Sequence, residues 1–327
     1  MTEVTVHDGI TYAEREAGEM ELDLYLPDRE DPPLVVYVHG GGWVAETRSN
    51  IPEPERYAAE WGCAIASVSY RLQDVPQEVG GEEMYDPANP TPRGSFPDHF
   101  VDVKAGIRWL RAHADEFGYD AERIATWGSS AGGHLALLAA VVDDVTDLGE
   151  AFADEVEKTV APEESSTVQA VVSWYGAADL TLTDDDVDGI IPMLMGGTQS
   201  ECPERYAQAS PVTHVTSESP PALLMHGRED EIVDVEHSRR FYDALDDAGV
   251  DAVSYELRDL NHVWVEDVED IESERVAMDL LAAEPTHAQS VYQATHAGEG
   301  QSPTPLLPEC PLAGPEPIRL FLERTIE

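Results

Sequence analysis

Residues 127–134 read WGSSAGGH and sit between the apolar runs Ile124-Ala125-Thr126 and Leu135 to Val142. A serine hydroxyl is a weak nucleophile until a base takes its proton and a sharp strand-to-helix turn holds it clear of the chain. Glycines two residues before and after such a serine relieve the crowding of strand against helix. Only Ser130 has both, in Gly128-Ser129-Ser130-Ala131-Gly132; for Ser129 the earlier position is Trp127. Ser130 is therefore the candidate nucleophile. A lone G-x-S-x-G also describes an idle glycine-rich turn, so its meaning depends on two further stretches.

The first is VYVHGGGWV, residues 36–44. Attack on a carbonyl creates an oxyanion, which needs backbone N–H donors already aimed at it. Glycines present such donors with no side chain in the way. His39 then reads as a brace for the loop rather than a base, because it precedes the nucleophile and abuts the oxyanion position. Trp43 is either an anchor for the loop or a wall of the pocket. The second stretch is LLMHGREDEIV, residues 223–233, an apolar run entering a polar turn. A histidine base needs a carboxylate to fix its tautomer, and where the nucleophile sits on a G-x-S-x-G strand-to-helix turn the chain order is Ser, then Asp or Glu, then His. Asp230 is the candidate acid, with Glu229, Glu231 and Asp234 as competitors. Among the later histidines, His237 falls in a helical pattern, and His287 and His296 in a Pro/Gly-rich stretch. His262, in LRDLNHVW, directly follows a strand pattern and is preferred.

Other chemistry-bearing residues read more simply as structural. His134 is expected to be packed and hydrogen-bonded. Asp98 and Asp102 are expected to serve a helix start, where negative charge is favoured, and Asp179 a turn. In DDDVDG, Asp184, Asp186, Asp188 and Gly189 have the spacing of the first half of a calcium loop, but the twelfth position is Met195 and the bidentate ligand is missing. Cys63, Cys202 and Cys310 lie far apart with no metal spacing, which suggests three reduced thiols and neither a disulfide framework nor a zinc site.

The elements that must position these residues alternate. Strand patterns cover Glu21 to Leu26, Leu34 to Val38, Ala64 to Tyr70, Ile124 to Trp127, Ala170 to Trp174, Ala222 to His226 and Ala252 to Leu257. Helical patterns cover Glu53 to Trp61, Phe100 to Phe117, Ala131 to Val142 and Glu236 to Ala248. Such alternation implies an α/β fold whose mainly parallel sheet is covered on both faces, with function at the carboxyl ends of the strands. Three segments interrupt it: Gln73 to Ser95, Asp143 to Thr167 and Glu266 to Gly314. The last is too long and Pro/Gly-rich for an ordinary connection and reads as either a lid or a disordered insert, an ordered surface lid being preferred.

Taken together, HGGGW, SYRL, FPDHFVDVKAGIRWLRAHADEFGYDAERIATWGSSAGGHLA, SWYGAADL, HGREDEIV and DLNHVW resemble the α/β-hydrolase esterases of the hormone-sensitive-lipase and feruloyl-esterase-like (BD-FAE) type. The likeness spans about residues 20–265 and a closing helix near Pro317 to Thr325. It implies a single α/β-hydrolase domain over 1–327, with 266–314 an insert in it. It further implies Ser130 as nucleophile, His262 as base, Asp230 as its orienting acid, and the N–H groups of Gly41, Gly42 and Ala131 as the oxyanion hole. Trp43 and Ser129 are candidates for the substrate pocket. The implied reaction is two-step hydrolysis of a small-molecule carboxylic ester, with no metal or organic cofactor. Departures include Ser129, where the family often has Glu or Asp, the acidic loops and the long insert. With about 20 residues before the first expected strand, the helical amino-terminal cap of lipase-like relatives is not expected. That favours an open site for short-acyl or aryl esters. The HGG-x-W loop also occurs in formamidase relatives, so hydrolysis of an aryl formamide or a peptide is the alternative. A non-catalytic binding module of this fold would lack part of the set, and no part is missing.

The chain carries 66 acidic and 19 basic residues, a formal net charge of −47, and its only lysines are Lys104 and Lys158. Such a charge repels nucleic acid and anionic membranes, and the pattern resembles proteins of salt-accumulating halophiles. No run approaches the roughly 20 apolar residues of a membrane span, and MTEVTVHDGI lacks the basic and apolar regions of a signal peptide. A cytoplasmic protein is expected; the oligomeric state is left open, a homodimer included.

Overall fold

The computed structural model describes residues 2–75, 91–182, 189–264, 289–296 and 302–327. In chain order the strands are β1 (Val4–Arg15), β2 (Gly18–Pro27), β3 (Leu34–Val38), β4 (Ala64–Val68), β5 (Leu72–Gln73), β6 (Arg93–Gly94), β7 (Ile124–Ser129), β8 (Ala170–Trp174), β9 (Ala222–Gly227), β10 (Ala252–Leu257) and β11 (Gln289–Ala294). The helices are α1 (Pro54–Trp61), α2 (Asp98–Ala112), α3 (Ala114–Phe117), α4 (Ala131–Val141), α5 (Ile190–Met195), α6 (Pro203–Gln208), α7 (Glu236–Ala248) and α8 (Pro315–Thr325).

Among the described residues, nine strands form one sheet in the order β1-β2-β4-β3-β7-β8-β9-β10-β11. From β4 to β10 all neighbours run parallel, and the pairings β1–β2, β2–β4 and β10–β11 are antiparallel. The central strands are buried along their whole length, so their side chains alternate between two cores. Leu34, Val36 and Val38 of β3 face α2, α4 and α7, alongside Phe100, Leu135 and Phe241. Val35 and Tyr37 face α1 and α8, alongside Trp61, Trp127 and Phe321. The expected fold class is the one observed.

Three differences have physical causes. The chain enters the sheet at β1, well before Glu21. Register shifts between His7 and Ile10 and between Thr11 and Ala13 interrupt the two-residue alternation by which a strand is read. The helical pattern from Phe100 to Phe117 is broken at His113 into α2 and α3, and His113 Nδ1 donates to the carbonyl of Trp109, 2.7 Å away. Asp102 does not cap a helix. It lies fully buried in the second turn of α2, where its carboxylate pairs with Arg15 Nε at 2.9 Å and Arg71 Nε at 2.8 Å. Asp98, the first residue of α2, does serve the helix start by accepting from Ser95 N at 3.0 Å. Of segment 266–314, the described part adds β11 antiparallel to β10 at the sheet edge. His287 and the acids Asp184, Asp186 and Asp188 lie outside the described residues, as does most of the stretch between Gln73 and Ser95.

Candidate active site

The order in which strands are laid down reverses between the adjacent parallel strands β3 and β7, since β3 leads to β4 on one side and β7 to β8 on the other. Crevices outside such a point, at the carboxyl ends of the strands, are where open α/β sheets bind ligands. The glycine loop follows β3, Ser130 follows β7, the turn with Asp230 follows β9, and His262 follows β10.

Ser130 has φ 54° and ψ −121°, the strained turn expected of a held-out nucleophile. The flanking glycines are required by contact. A Cβ at Gly128 would lie 2.2 Å from the carbonyl oxygen of Gly132, and one at Gly132 would lie 2.1 Å from that of Val38. The Ser130 N–H donates to Trp174 O at 2.9 Å, which ties the turn to β8.

His262 Nε2 lies 2.9 Å from Ser130 Oγ, and its Nδ1 lies 2.7 Å from Asp230 Oδ2. A carboxylate can only accept, so Nδ1 carries the proton and Nε2 is left to accept from the serine hydroxyl. Asp230 Oδ1 accepts from Ile232 N at 3.0 Å and Val233 N at 2.8 Å. Burial works to raise the Asp230 carboxyl, but hydrogen bonds from His226 and His262 outweigh it and hold the group well below the usual carboxylate range. The competing acids do not reach His262 in this way: Asp234 accepts from Glu236 N at 2.8 Å at the start of α7. His237 faces Asp179 N at 3.1 Å, and His296 pairs with Asp246 at 3.1 Å.

Gly41 and Gly42 have φ 84° and 58°, and Trp43 follows at 63°. The loop closes on itself through Val44 N and Ala45 N, which donate to Gly41 O at 3.0 and 2.9 Å. Among the described residues, the N–H groups of Gly41, Gly42 and Ala131 donate to no protein acceptor. Ala131 opens α4, where the helix end favours negative charge. The loop is braced from behind. Tyr70 donates to the carbonyls of His39 and Gly40, each at 3.0 Å, and stacks on the His39 ring with centroids 4.3 Å apart. Trp43 is buried, and its indole N–H donates to His134 Nδ1 at 3.3 Å while His134 Nε2 meets Ala209 O at 2.8 Å. Since that carbonyl only accepts, His134 is the Nε2–H tautomer. Burial lowers both His39 and His134 to about 4, so these braces are neutral near pH 7. Ser129 is nearly covered, with Oγ 3.2 Å from the Tyr37 hydroxyl.

Three residues of the site are not apparent from spacing. Asn261 Oδ1 accepts from both Glu231 N at 2.9 Å and His262 N at 2.8 Å, which joins the acid turn to the base turn. Its position directly before His262 was the available signal. His226, near the end of the apolar strand β9, lies 3.3 Å from Asp230. Tyr175 sets its ring edge-on to His262, with centroids 4.7 Å apart.

Comparisons with known proteins bear on the family and the fold. A model of the BD-FAE family matches residues 22–81 and 89–245, a span that contains Ser130 and Asp230 and stops before His262. LipM of Mycobacterium tuberculosis is 31% identical over 92% of this chain and 65% of its own length. Esterase LipQ of the same organism is 31% identical over 71% of this chain and 50% of its own length. The chain thus spans between about half and two thirds of these curated relatives. Among solved structures, a truncated carbohydrate esterase from gut microbiota superposes with a TM-score of 0.67 at 24% identity, over 80% of this chain and 90% of that one. An esterase of Thermogutta terrifontis gives 0.60 at 24% identity, over 80% of this chain and 82% of that one; both likenesses speak to the fold. With the family model matched over well more than half its length, the chain belongs to the BD-FAE family of α/β-hydrolase-fold proteins.

Proposed function

We propose that the chain hydrolyses carboxylic esters through an acyl-enzyme. His262 takes the hydroxyl proton as Ser130 Oγ attacks the ester carbonyl. The N–H groups of Gly41, Gly42 and Ala131 hold the oxyanion, and the imidazolium returns its proton to the departing alkoxide as the ester C–O bond breaks. Water, with His262 again as base, then adds to the acyl group and frees the acid and Ser130. Asp230 stays ionised and holds the His262 tautomer. The observation that carries this reading is the run of hydrogen bonds from Ser130 through His262 to Asp230, at 2.9 and 2.7 Å. The name of the relative LipQ supports ester over amide cleavage. The acidic composition supports work in a salt-accumulating cytoplasm, and Ser129 and the insert at 266–314 are proposed to shape the substrate range.

The test is labelling by a fluorophosphonate and turnover of p-nitrophenyl acetate in molar KCl, for the wild type and Ser130→Ala. Labelling and turnover should both disappear in the variant. Labelling that survives Ser130→Ala overturns the assignment of the nucleophile. Turnover confined to N-formylkynurenine or aminoacyl anilides replaces ester hydrolysis by amide hydrolysis with the same residues.

A further inference from the structure

Asp230 is addressed by two imidazoles at one oxygen. Its Oδ2 lies 2.7 Å from His262 Nδ1 and 3.3 Å from His226 Nε2. His226 is fully buried near the carboxyl end of β9. Its Nε2 also faces Val233 O at 2.7 Å, and since that carbonyl can only accept, Nε2 carries a proton. That proton is shared between Val233 O and the Asp230 carboxylate. On its other side, Nδ1 lies 2.7 Å from Ser238 Oγ of α7, whose hydroxyl can donate to it. The ring is thus held by a strand, a turn and a helix, with its N–H turned to the acid. None of these contacts touches the reacting atoms.

A carboxylate stabilises an adjacent imidazolium less when other donors already draw on its charge. With two backbone N–H groups on Oδ1 and a second imidazole N–H on Oδ2, Asp230 is a weakened acceptor. We propose that His226 is a positioning residue that fixes the Asp230 carboxylate and, by sharing Oδ2 with His262, weakens the hold of that carboxylate on the imidazolium formed during turnover. The proposal rests on the reading of Ser130, His262 and Asp230 given above. The sign is the same whether His226 is neutral or charged, because either form withdraws charge from Asp230. Among the described residues, the titratable groups around this pair are His237 and Asp234 at α7 and Asp179 after β8, which interact electrostatically at this end of the sheet, together with Tyr175 against the His262 ring. All are common to the wild type and the variants below.

The test is the pH dependence of kcat/KM for p-nitrophenyl acetate in His226→Leu, His226→Gln, Ser238→Ala and Ser130→Ala, at one KCl concentration. The acid limb reports the base of the free enzyme. In His226→Leu, which has no donor for Oδ2, it should move up by about half a pH unit or more. In His226→Gln, whose amide nitrogen reaches the place of Nε2, the limb should stay closer to the wild type. Ser238→Ala removes the hydroxyl that locks Nδ1 and should move the limb in the same direction by less. It also decides the matter should His226→Leu not fold. A residue that merely packs would lower turnover at every pH and leave the limb in place, and that result in both His226→Leu and Ser238→Ala overturns the proposal. If instead Ser130→Ala keeps its turnover, the failure belongs to the reading of the nucleophile.

Discussion

Gly41 carries two demands at once, a left-handed backbone and space that no side chain can share. Its φ is 84°, and a Cβ there would lie 2.4 Å from the carbonyl oxygen of Ala45, inside the turn that Ala45 N closes on Gly41 O. Gly41→Ala should therefore re-aim the loop donors while the sheet behind them persists. Losing one oxyanion donor costs about 10² to 10³ in turnover, so kcat should drop by that order with the circular dichroism spectrum retained; unchanged kcat would remove this loop from the oxyanion hole. At this scale Ser130 was legible because the close approach of Gly128 to Gly132 leaves a trace in sequence, as glycine at fixed spacing. Sequence could only rank Asp230 among four nearby acids, since all lie in the same polar turn. What separates them is which carboxylate the turn aims at His262, and Ile232 N and Val233 N settle that by holding Asp230 Oδ1. His226 left no such trace. A histidine ending an apolar strand reads as core, and its part depends on a turn four residues on bending back over it.

Helix α2 is buried along most of its length, yet it contains one of the two lysines of the chain. Lys104 Nζ donates to Ala139 O at 3.0 Å and Ser166 O at 2.8 Å, so its hydrogen bonds go to carbonyls rather than to a carboxylate. Burial, the largest influence, pushes it down to about 7. Between about pH 7 and the unfolded value near 10.4, the unfolded chain keeps a proton that the folded chain releases. Stability from this group therefore rises with pH across that window. Burial raises the Cys63 thiol to about 12, which acts in the opposite sense above the thiol's own unfolded value and confines a clean reading to pH 7–9. The urea midpoint of the wild type should rise from pH 7 to 9 more steeply than that of Lys104→Met at the same KCl concentration; equal slopes would refute a depressed lysine. The elements themselves were legible where period and length agreed, as in β3, β8, β10 and α7. Strand β1 was not, because its register shifts scramble which face each residue takes. Nor was β11, a six-residue edge strand set in a Pro/Gly-rich stretch, whose partner β10 lies over thirty residues earlier.

Charge acts on the molecule as a whole. If each of the 19 basic groups neutralised one carboxylate, the formal excess would still be 47 negative charges. Several basic groups are already committed to partly or fully buried pairs: Arg15 and Arg71 to Asp102, Arg228 and Arg239 to Glu256, and Arg240 to Asp179. Salt acts unequally on these two populations. Pairs shielded from solvent are screened little, whereas repulsion between carboxylates exposed on the surface is screened as the Debye length falls from about 10 Å at 0.1 M to about 3 Å at 1 M. Weakened surface attractions would lower stability in salt, but there are too few cations for that loss to match the relief of repulsion among 66 acids. The melting temperature should therefore climb as KCl rises from 0.1 M to 1 M, and then more slowly as little repulsion is left to screen. Scanning calorimetry across a KCl series measures this directly. A melting temperature that stays flat or falls over that range would mean that acidic repulsion does not limit stability, and the reading of the composition as an adaptation to salt would fail with it.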